Sequence, residues 1–517
     1  MSRDNEYDAI VIGSGLGGLT AGALFARAGH RVLLLEQNDS FGGAATTYHK
    51  GAMMIEASLQ ATTDPRTTLD SKGEIFDALN LYDDIEFVSV DNFYEVRCPL
   101  IGEPLTIPHG LEALGDYLVK RFPQEEDNVR RFLKQLGSIQ KAMKIFTEKH
   151  DGLWWLAHGA ELPYRLWPLV RDLRSSVSQV MQRYFGDNEA IKIALAANLL
   201  YYSDDPDQMW WLFYAVVQDG FFRGGGNYIK GGSQVLSEQL ADRIRAEGGN
   251  TLTGQSAVEI LLSEEGEVSG VRYRPRGDGD EVIAHAPIVF ANASPHVVEP
   301  MLPEAERDRF MAPYRDKPLS ISLFSMTFGL SKRPAELGLT AYSTVLIPSW
   351  MQRLSDLKKC GEIFKGMPGE RLPLLGVTDY SHIDSGLTNS ELFPISVAGA
   401  DRLSNWEGLS DEDYQSKKNA WVNTVIQRLE DEWPGFANAV VQQEFATART
   451  MQEYLKTPDG AVYGFAPNIP QSMLLSGPPR TPKTSVKGLW LASSYGGAGG
   501  FTGAMSTGGW AAKAALS

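Results

Sequence analysis

The feature that most constrains this chain is a glycine-rich turn set between two short apolar runs near its start. The run YDAIVI precedes GSGLGG at residues 13–18, and the second run, RVLLLE, ends at Glu36. Short apolar runs of this kind are typical of strands buried in a parallel sheet. Between them, LTAGALFARA predicts a helix that ends at Gly29. These residues therefore predict a compact strand–turn–helix–strand unit.

The turn has the spacing G-x-G-x-x-G, which is typical of dinucleotide-binding units. Gly13 allows the tight turn, Gly15 lets the backbone approach a pyrophosphate, and Gly18 lets the helix pack closely on the strand. The first N–H groups of the helix attract the anion. Glu36, at the end of the second strand, is placed to bond ribose hydroxyls. The glycine pattern alone is weak evidence, but its strand, helix and acidic residue supply the expected context.

A second glycine pair, at residues 42–43, follows shortly after Glu36. Such a pair is either a plain loop or a second close approach of the backbone to the same ligand. With the strand–turn–helix–strand unit in place, the second interpretation is favoured.

Composition and charge restrict the partners and the compartment. The 517 residues carry a net charge of −16 without a long Lys/Arg run, so we expect no nucleic-acid partner. Cys98 and Cys360 stand alone, which fits a reducing compartment and no disulfide framework. The N-terminus is charged before its first apolar run, and no apolar stretch reaches the about 20 residues of a membrane-spanning helix. We expect a cytoplasmic protein, and peripheral contact with a membrane stays open.

The remaining sequence predicts a second, mixed region. A helical pattern covers residues 111–150, and an aromatic-rich stretch covers 154–222. SAVEILLS, VSGVRYRP and EVIAHA, separated by turn residues, predict a meander of short strands. SISLFSMTFGL, LPLLGV and FPISVAGA predict further strands, with a helix at about 411–432.

We therefore expect an α/β fold with two interleaved domains. A nucleotide-binding domain, with a parallel sheet plus the meander, is expected from residues 1–70, 225–300 and 455–517. Residues 71–224 and 301–454 are expected to form the other, α+β domain.

Four segments resemble the phytoene desaturase, carotenoid isomerase and retinol saturase group of FAD-binding proteins. The first is DAIVIGSGLGGLTAGALFARAGHRVLLLEQNDSFGGAATT, and the second is NYIKGGSQVLSEQLADRIRAEGGNTLTGQSAVEIL, where a turn opens a helix that leads to an adenine-contacting strand. The third, IVFANASPHVV, resembles the third nucleotide-domain strand of the group. The fourth, DGAVYGFAPNIPQSMLLSGPPRTPKTSVKGLWLASSYGGAGGFTGAMSTGGWAA, resembles its C-terminal flavin segment. The segments cover about a third of the chain, and their joint order is specific.

The resemblance implies one FAD per chain and a Rossmann-like FAD-binding domain interleaved with a substrate-binding domain. In the group, the C-terminal strand delivers a glycine-rich turn against the flavin, and the next helix points its N-terminus at the ring. Residues 493–505 are therefore expected to lie against the flavin. The implied cofactor contacts are Gly13, Ser14, Gly15, Leu16, Gly17, Gly18, Glu36, Gly43, Ala44, Thr46, Val258, Ser494, Gly503, Ala504 and Met505.

The sequence also departs from the group. Many relatives carry Arg directly after the glycine pair. Here Ala44 follows the pair, as alanine does in the isomerase-like branch. Ser493 and Ser494 stand where many carry Gly-Asp, so a Ser494 hydroxyl is expected to bond the ribityl chain. The usual proline of the following turn is absent. These departures weaken an assignment to a specific desaturase.

The function implied is an FAD-dependent oxidoreductase acting on an apolar conjugated substrate such as a carotenoid, a retinoid or a similar isoprenoid. Desaturation, saturation and redox-neutral isomerisation all remain open, as do the electron acceptor and the catalytic residues. The aromatic stretch at 154–222 is either core or the lining of a substrate tunnel. An amine oxidase-like enzyme on a smaller substrate is the alternative, and a non-redox prenyl-binding protein of the same fold is a third. The histidines show no metal-ligand spacing, so no metal is expected.

Overall fold

The computed structural model describes residues 5–66, 71–147, 152–277, 279–389, 391–470 and 480–517. Residues 148–150 of the expected helical segment and 471–479 of the C-terminal segment lie outside the described part. The strands are, in chain order, β1 Ala9–Ile12, β2 Val32–Leu35, β3 Thr47–Lys50, β4 Met53–Glu56, β5 Phe87–Ser89, β6 Tyr94–Arg97, β7 Leu105–Ile107, β8 Asn227–Ile229, β9 Asn250–Leu252, β10 Gln255–Leu262, β11 Val268–Pro275, β12 Val282–His285, β13 Ile288–Ala291, β14 Ser322–Leu330, β15 Ser343–Leu346, β16 Leu375–Asp379, β17 Phe393–Asp401, β18 Val440–Ala446 and β19 Leu489–Leu491.

The α-helices are α1 Leu16–Arg27, α2 Lys72–Leu79, α3 Leu111–Arg121, α4 Glu126–Thr147, α5 Gly152–His158, α6 Leu162–Arg171, α7 Val177–Phe185, α8 Glu189–Ala196, α9 Trp211–Gly224, α10 Ser233–Ala246, α11 Pro295–Val298, α12 Glu304–Met311, α13 Asp411–Glu432, α14 Phe436–Ala439, α15 Ala448–Leu455 and α16 Gly500–Ala515.

A parallel sheet with the strand order β19-β13-β1-β2-β9 joins the two ends of the chain to its middle. In the centre of this sheet, Ile10 of β1 lies opposite Leu33 of β2 and Val289 of β13. Val11 and Leu34 pack against α1, α10 and α16, whereas Ile10 and Leu33 point to the opposite face, towards the meander. Both faces are covered, which explains why the strands are continuously apolar. The predicted α/β fold with a parallel sheet is confirmed.

The meander β10-β11-β12 is antiparallel, as the sequence predicts. A larger mixed sheet has the order β18-β14-β17-β16-β15-β6-β7, in which β15 and β6 are parallel. Helix α13 covers the segment expected to be helical at about 411–432, and it begins where the Ser410 hydroxyl accepts a hydrogen bond from the Asp413 N–H at 3.1 Å. The domain boundaries drawn from the sequence remain a prediction.

The segment predicted to be helical at 111–150 contains two helices, α3 and α4. Pro123 separates them, because the residue before a proline is driven out of the helical region. Phe122 accordingly has φ −130° and ψ 67°. Within α4, Phe132 and Leu136 are fully buried against α7 and α9, so the apolar periodicity identified the core face.

Helices α1 and α16 cross in close contact because glycines replace side chains at the crossing. A Cβ atom at Gly17 would collide with the carbonyl oxygen of Ala492, and one at Gly508 would collide with the carbonyl oxygen of Gly17. Both contacts are made by backbone atoms, which cannot rotate away. This crossing fixes the start of α1 against the end of β19.

We predict that Gly508→Ala destabilises the protein, although alanine in the middle of a helix normally stabilises by about 1 kcal/mol relative to glycine. The added methyl group forces the two backbones apart, which costs about 1–3 kcal/mol. The free energy of unfolding in urea measures the effect.

The matched control is Gly509→Ala, one residue further along α16. There, a Cβ would meet Ile75 at 3.4 Å and Leu24 at 3.6 Å, which are ordinary contacts. The control should be neutral or stabilising, and a stabilising Gly508→Ala would contradict the packing argument.

Candidate functional site

A cavity of about 1370 Å³ lies where the carboxyl ends of the parallel strands meet helices α4 and α9 and the mixed sheet. Part of its wall comes from the first glycine turn, including Gly13 and Gly15, and from Glu36. Another part comes from α9 and from the aromatic side chains of Tyr201 and Phe213. Ligands bind at the carboxyl ends of strands in open α/β sheets, so this is the candidate site.

The Glu36 carboxylate holds the first glycine turn in place. Its Oε2 accepts hydrogen bonds from the Ser14 N–H at 2.9 Å and from the Ser14 hydroxyl at 2.6 Å. Its Oε1 accepts a hydrogen bond from the Asn38 N–H at 2.8 Å. The Glu36 residue is only 4% exposed, although it lines the cavity. Glu36 therefore shapes the turn as well as facing the space beside it.

The second glycine pair lies directly on the first turn. The Gly42 N–H donates to the Ser14 carbonyl oxygen at 3.0 Å, and both Gly42 and Gly43 have positive φ. A Cβ at Gly43 would lie 3.3 Å from the Cα of Gly15. Only a residue without a side chain fits this approach in this backbone conformation, so the pair is more than a plain loop.

Asn292, directly after β13, ties the first turn to the end of β19. With its amide oxygen turned towards the turn, Asn292 accepts from the Gly15 N–H at 2.7 Å and donates to the Ala492 carbonyl oxygen at 2.9 Å. A Cβ at Gly15 would lie 2.5 Å from the end of the Asn292 side-chain amide. The missing side chain of Gly15 thus makes room for Asn292. Asn292 was not among the predicted site residues, and its position in IVFANASPHVV, directly after a strand of the parallel sheet, is the signal that could have identified it.

Helices α1 and α16 both begin beside the cavity without a side-chain cap. Helix α1 follows Gly15, and α16 follows Gly499. Leu16 and Gly500 at the two starts both line the cavity. Gly500 has φ +76°, and nothing lies within 4 Å of the position of its missing Cβ. Uncapped N–H groups at helix starts favour a negatively charged ligand group.

The residues expected to contact the cofactor divide into two groups. Those that line the cavity are Gly13, Ser14, Gly15, Leu16, Glu36, Gly43, Ala44, Ser494, Gly503 and Ala504. Those behind its wall are Gly17, Gly18, Thr46, Val258 and Met505.

The residues behind the wall have other structural roles. Gly17 and Gly18 sit at close helix packing contacts, and the Thr46 hydroxyl donates to the Gln234 amide oxygen at 2.7 Å. Val258 lies at a β-bulge of β10, and the Met505 side chain is fully buried in the core. Their contact with a cofactor remains a prediction.

Several C-terminal glycines are required by packing within the protein. A Cβ at Gly496 would collide with the Leu491 carbonyl oxygen, and one at Gly499 would collide with the Tyr463 carbonyl oxygen. Gly500, by contrast, faces open space. The C-terminal glycine run was expected to serve a ligand. The tight packing of the segment against its own chain is a second reason for these glycines.

The aromatic stretch at 154–222 contains both core and cavity wall. Trp211 is fully buried, whereas Trp210 lines the cavity and donates its indole N–H to the Leu173 carbonyl oxygen at 2.9 Å. Tyr202 also lines the cavity, and burial raises its pKa well above the usual value for tyrosine. Trp155 and Trp167 belong to neither group, because they lie on the protein surface and are 41% and 57% exposed.

We predict that Asn292→Ala lowers the free energy of unfolding of the ligand-free protein by about 1–3 kcal/mol, because it leaves the Gly15 N–H and the Ala492 carbonyl oxygen without their partner. Chemical denaturation measures the change. The control is Asn419→Ala on the exposed face of α13, which should change stability by less than about 0.5 kcal/mol. Equal effects of the two substitutions would show that the Asn292 bridge contributes nothing.

The chain is similar to known proteins of the group that its four segments resemble. Residues 11–78 match the NAD(P)-binding Rossmann-like domain model. The chain is 24% identical to all-trans-retinol 13,14-reductase of Danio rerio over 97% of this chain and 85% of that protein. It is 25% identical to the chloroplastic prolycopene isomerase of Daucus carota, over 95% and 76% of the two chains. It is 26% identical to the neurosporene-forming phytoene desaturase of Rhodobacter capsulatus, over 96% and 92%.

Solved structures share the fold. An oxidoreductase from Methanosarcina mazei has a TM-score of 0.62 at 15% identity, with 98% of this chain and 99% of that chain covered. Cyclohexylamine oxidase from Brevibacterium oxydans has a TM-score of 0.59 at 16% identity, with 98% of each chain covered. The relatives confirm the resemblance predicted from the four segments, and with it the expectation of an oxidoreductase. Over nearly its whole length, the chain is similar to the retinol 13,14-reductases, prolycopene isomerases and phytoene desaturases.

Proposed function

We propose that this protein is an FAD-dependent oxidoreductase that acts on an apolar conjugated polyene or isoprenoid. The observation that carries the proposal is the shared cavity, because the dinucleotide turn at Gly13 and Gly15 and the aromatic side chains of Tyr201 and Phe213 line the same space. A redox cofactor bound at the turn would therefore meet an apolar substrate within one enclosure. The relatives' names, which include a retinol reductase and a phytoene desaturase, support this substrate class.

The residues present fit a flavin dinucleotide. The α1 N-terminus supplies N–H groups for the pyrophosphate, and Glu36 accepts from the ribose hydroxyls. Residues 493–504 supply the surface for the ring system, and Gly500 leaves space there for a close approach. A bound flavin would supply the hydride or electron transfer.

The protein's own groups shape and dry the reaction space. The α16 N-terminus lacks a side-chain cap and directs its first N–H groups towards negative charge on the cofactor. Apolar side chains of α9, among them Val216, Val217 and Phe221, exclude water from the part of the cavity expected to hold the substrate.

An amine oxidase-like activity is the second candidate, because cyclohexylamine oxidase has the same fold. The aromatic and aliphatic lining beside α9 favours the polyene. Purified, FAD-loaded protein incubated anaerobically with carotenoids, retinoids and small amines distinguishes the two. We expect a polyene to change the flavin absorbance or to be converted, as followed by product mass. Turnover of amines alone would replace the proposal with the second candidate.

We predict that Gly500→Val lowers the affinity for FAD at least tenfold, because its side chain would project into the space expected to hold the cofactor. Equilibrium titration with FAD, followed by flavin fluorescence, measures the loss. Since φ at Gly500 is +76°, valine also strains the backbone there.

The control for that strain is Gly266→Val in the turn between β10 and β11. Gly266 has φ +75° and equally open surroundings, but it lies outside the cavity. The control should keep wild-type FAD affinity. If Gly500→Val also keeps it, the assignment of residues 493–504 to the flavin fails.

We also propose that helices α5 and α6 contact a membrane surface from which the apolar substrate enters. Among the described residues, five of the eleven large apolar side chains that are exposed lie in this short stretch: Leu153, Trp155, Tyr164, Trp167 and Val170. Tryptophan and tyrosine favour the membrane–water interface. In the part of the chain described here, no helix is both long and apolar enough to cross a bilayer, so the proposal is a surface contact.

The position of α6 connects this apolar surface to the cavity. The inner side of α6, with Leu166 and Leu169, packs on the helical core, and its outer side carries Tyr164, Trp167 and Val170. Helix α6 thus carries apolar side chains on its outer as well as its inner side, and its charged residues are Arg165 and Arg171. Helix α6 also packs against α4, whose residues Gln140 and Met143 line the cavity.

We predict that the double substitution Trp155→Ser and Trp167→Ser lowers binding to phosphatidylcholine vesicles at least tenfold in a sedimentation assay. Each aromatic side chain removed from contact with lipid forfeits about 1.5–3 kcal/mol. Trp510→Ser is the control, because Trp510 is 43% exposed but lies near the end of α16. Loss of vesicle binding by the control alone, or by neither protein, would contradict this surface.

A further inference from the structure

The carboxylate of Asp219 lines the cavity from α9 with one of its oxygens unused. The side chain is 1% exposed, and its Oδ2 accepts a hydrogen bond from the Arg223 Nε at 2.7 Å. Its Oδ1 is buried and has no hydrogen-bond partner among the described residues. Burial raises the pKa of Asp219, and the Arg223 guanidinium opposes that shift.

Two other buried carboxylates, Glu56 and Asp401, have both of their oxygens hydrogen-bonded. Glu56 accepts hydrogen bonds from two backbone N–H groups, at Ser58 and Leu59, and from the N–H and hydroxyl of Ser233, among others. Asp401 accepts bonds from the Trp406 indole and the Ala448 N–H, at 2.8 and 2.9 Å. Buried polar atoms are nearly always satisfied, and leaving one unpaired costs about 1–3 kcal/mol. Asp219 is therefore an exception that a ligand would explain.

The polar residues near Asp219 do not bond its Oδ1. Gln218 and Asn198 exchange two side-chain hydrogen bonds, both at 3.1 Å, and neither amide bonds the Asp219 Oδ1. The amide oxygen of Gln140, across the same cavity wall on α4, also lacks a partner within the described ranges. Two residues of the cavity wall thus carry a buried acceptor without a partner, and Val216, Val217 and Phe221 are apolar residues of the same wall.

What Asp219 lacks is a hydrogen-bond donor and not a compensating charge. Arg223 already supplies the positive charge, four residues away on the same helix. A second cation would have to be desolvated to reach a carboxylate that is already paired, which is costly in a low-dielectric site. A neutral hydroxyl supplies the missing donor without adding charge.

We infer that the Asp219 Oδ1 accepts a hydrogen bond from the hydroxyl of an otherwise apolar ligand, so that the substrate is a polyene or isoprenoid alcohol and not a pure hydrocarbon. This inference rests on the proposed function and narrows its substrate class. Asp219 is a specificity-determining residue in this scheme. A site that bonds a hydroxyl discriminates strongly against the analogue without it, because its own polar atom is then left unpaired.

The substitution Asp219→Asn tests the acceptor directly. Its amide oxygen is expected to face the Arg223 Nε, because the amide NH₂ cannot accept that hydrogen bond. The NH₂ group then occupies the position of the free Oδ1, and an acceptor becomes a donor. An ether oxygen can accept from this donor as well as a hydroxyl can, so the preference for an alcohol should disappear.

The probes are all-trans-retinol and its methyl ether, which share the polyene and differ in the donor. Their binding to FAD-loaded protein is followed by quenching of tryptophan fluorescence, since Trp210 lines the cavity. We expect wild-type protein to bind the alcohol about 10- to 100-fold more tightly, the range of one hydrogen bond to a charged group. Asp219→Asn should bring the ratio to within about twofold, while Asp187→Asn, on an exposed loop outside the cavity, should leave it unchanged.

The outcomes separate the inference from the function on which it rests. Equal binding of alcohol and ether by the wild-type protein overturns the hydroxyl subsite but leaves a polyene-binding flavoprotein, and this comparison needs no variant. A preference that survives Asp219→Asn overturns the role of Asp219. Tighter binding of retinylamine than of retinol assigns the carboxylate to a cation instead. If neither polyene binds or alters the flavin spectrum, the proposed function fails together with the inference.

Discussion

The structure depends on one meeting point of backbone segments that are far apart in the sequence. Asn292 joins the N–H of Gly15 to the carbonyl oxygen of Ala492, and these atoms belong to the start, middle and end of the chain. The same point is crowded from the helix side, where Gly17 and Gly508 meet without side chains. Because the contacts are between backbones, a single methyl group there displaces whole elements and not one rotamer. The position of α16 beside the first turn follows from this packing.

The consequence is a cavity whose walls come from separate parts of the protein. The parallel sheet brings the dinucleotide turn and the start of α16 to one edge, and α4 and α9 of the helical region bring aromatic and aliphatic side chains to the same space. A redox enzyme for a water-insoluble substrate needs this combination, because the reacting atoms must meet in a dry enclosure. Helix α6, which packs on α4, carries exposed apolar side chains on its outer side.

Buried carboxylates show how the protein separates structure from recognition. Glu36 and Glu56 are surrounded by donors from their own chain, and each fixes a turn: Glu36 the first glycine turn, and Glu56 the start of α10 through Ser233. Asp219, which lines the cavity, differs, since Arg223 balances its charge while its Oδ1 has no hydrogen-bond partner in the described part of the chain. The carboxylates whose oxygens are hydrogen-bonded by the protein hold the fold together, and the Asp219 carboxylate keeps one oxygen for a ligand. The distinction lies in hydrogen-bond counts, which sequence alone does not reveal.

The sequence by itself determined the local elements and the order in which they are used. The apolar runs around the first turn predicted β1, α1 and β2, because hydrophobic patterns act between near neighbours in the chain. The apolar periodicity within residues 111–150 predicted helix for the same reason, and a helix was also predicted at about 411–432. Only the tertiary structure decided which C-terminal glycines serve helix packing and which one, Gly500, faces open space. It likewise decided that Asn292 is a bridge and that Asp219 keeps a free oxygen. These properties depend on which distant atoms come within a few ångströms, and residue type and spacing along the chain do not encode that proximity.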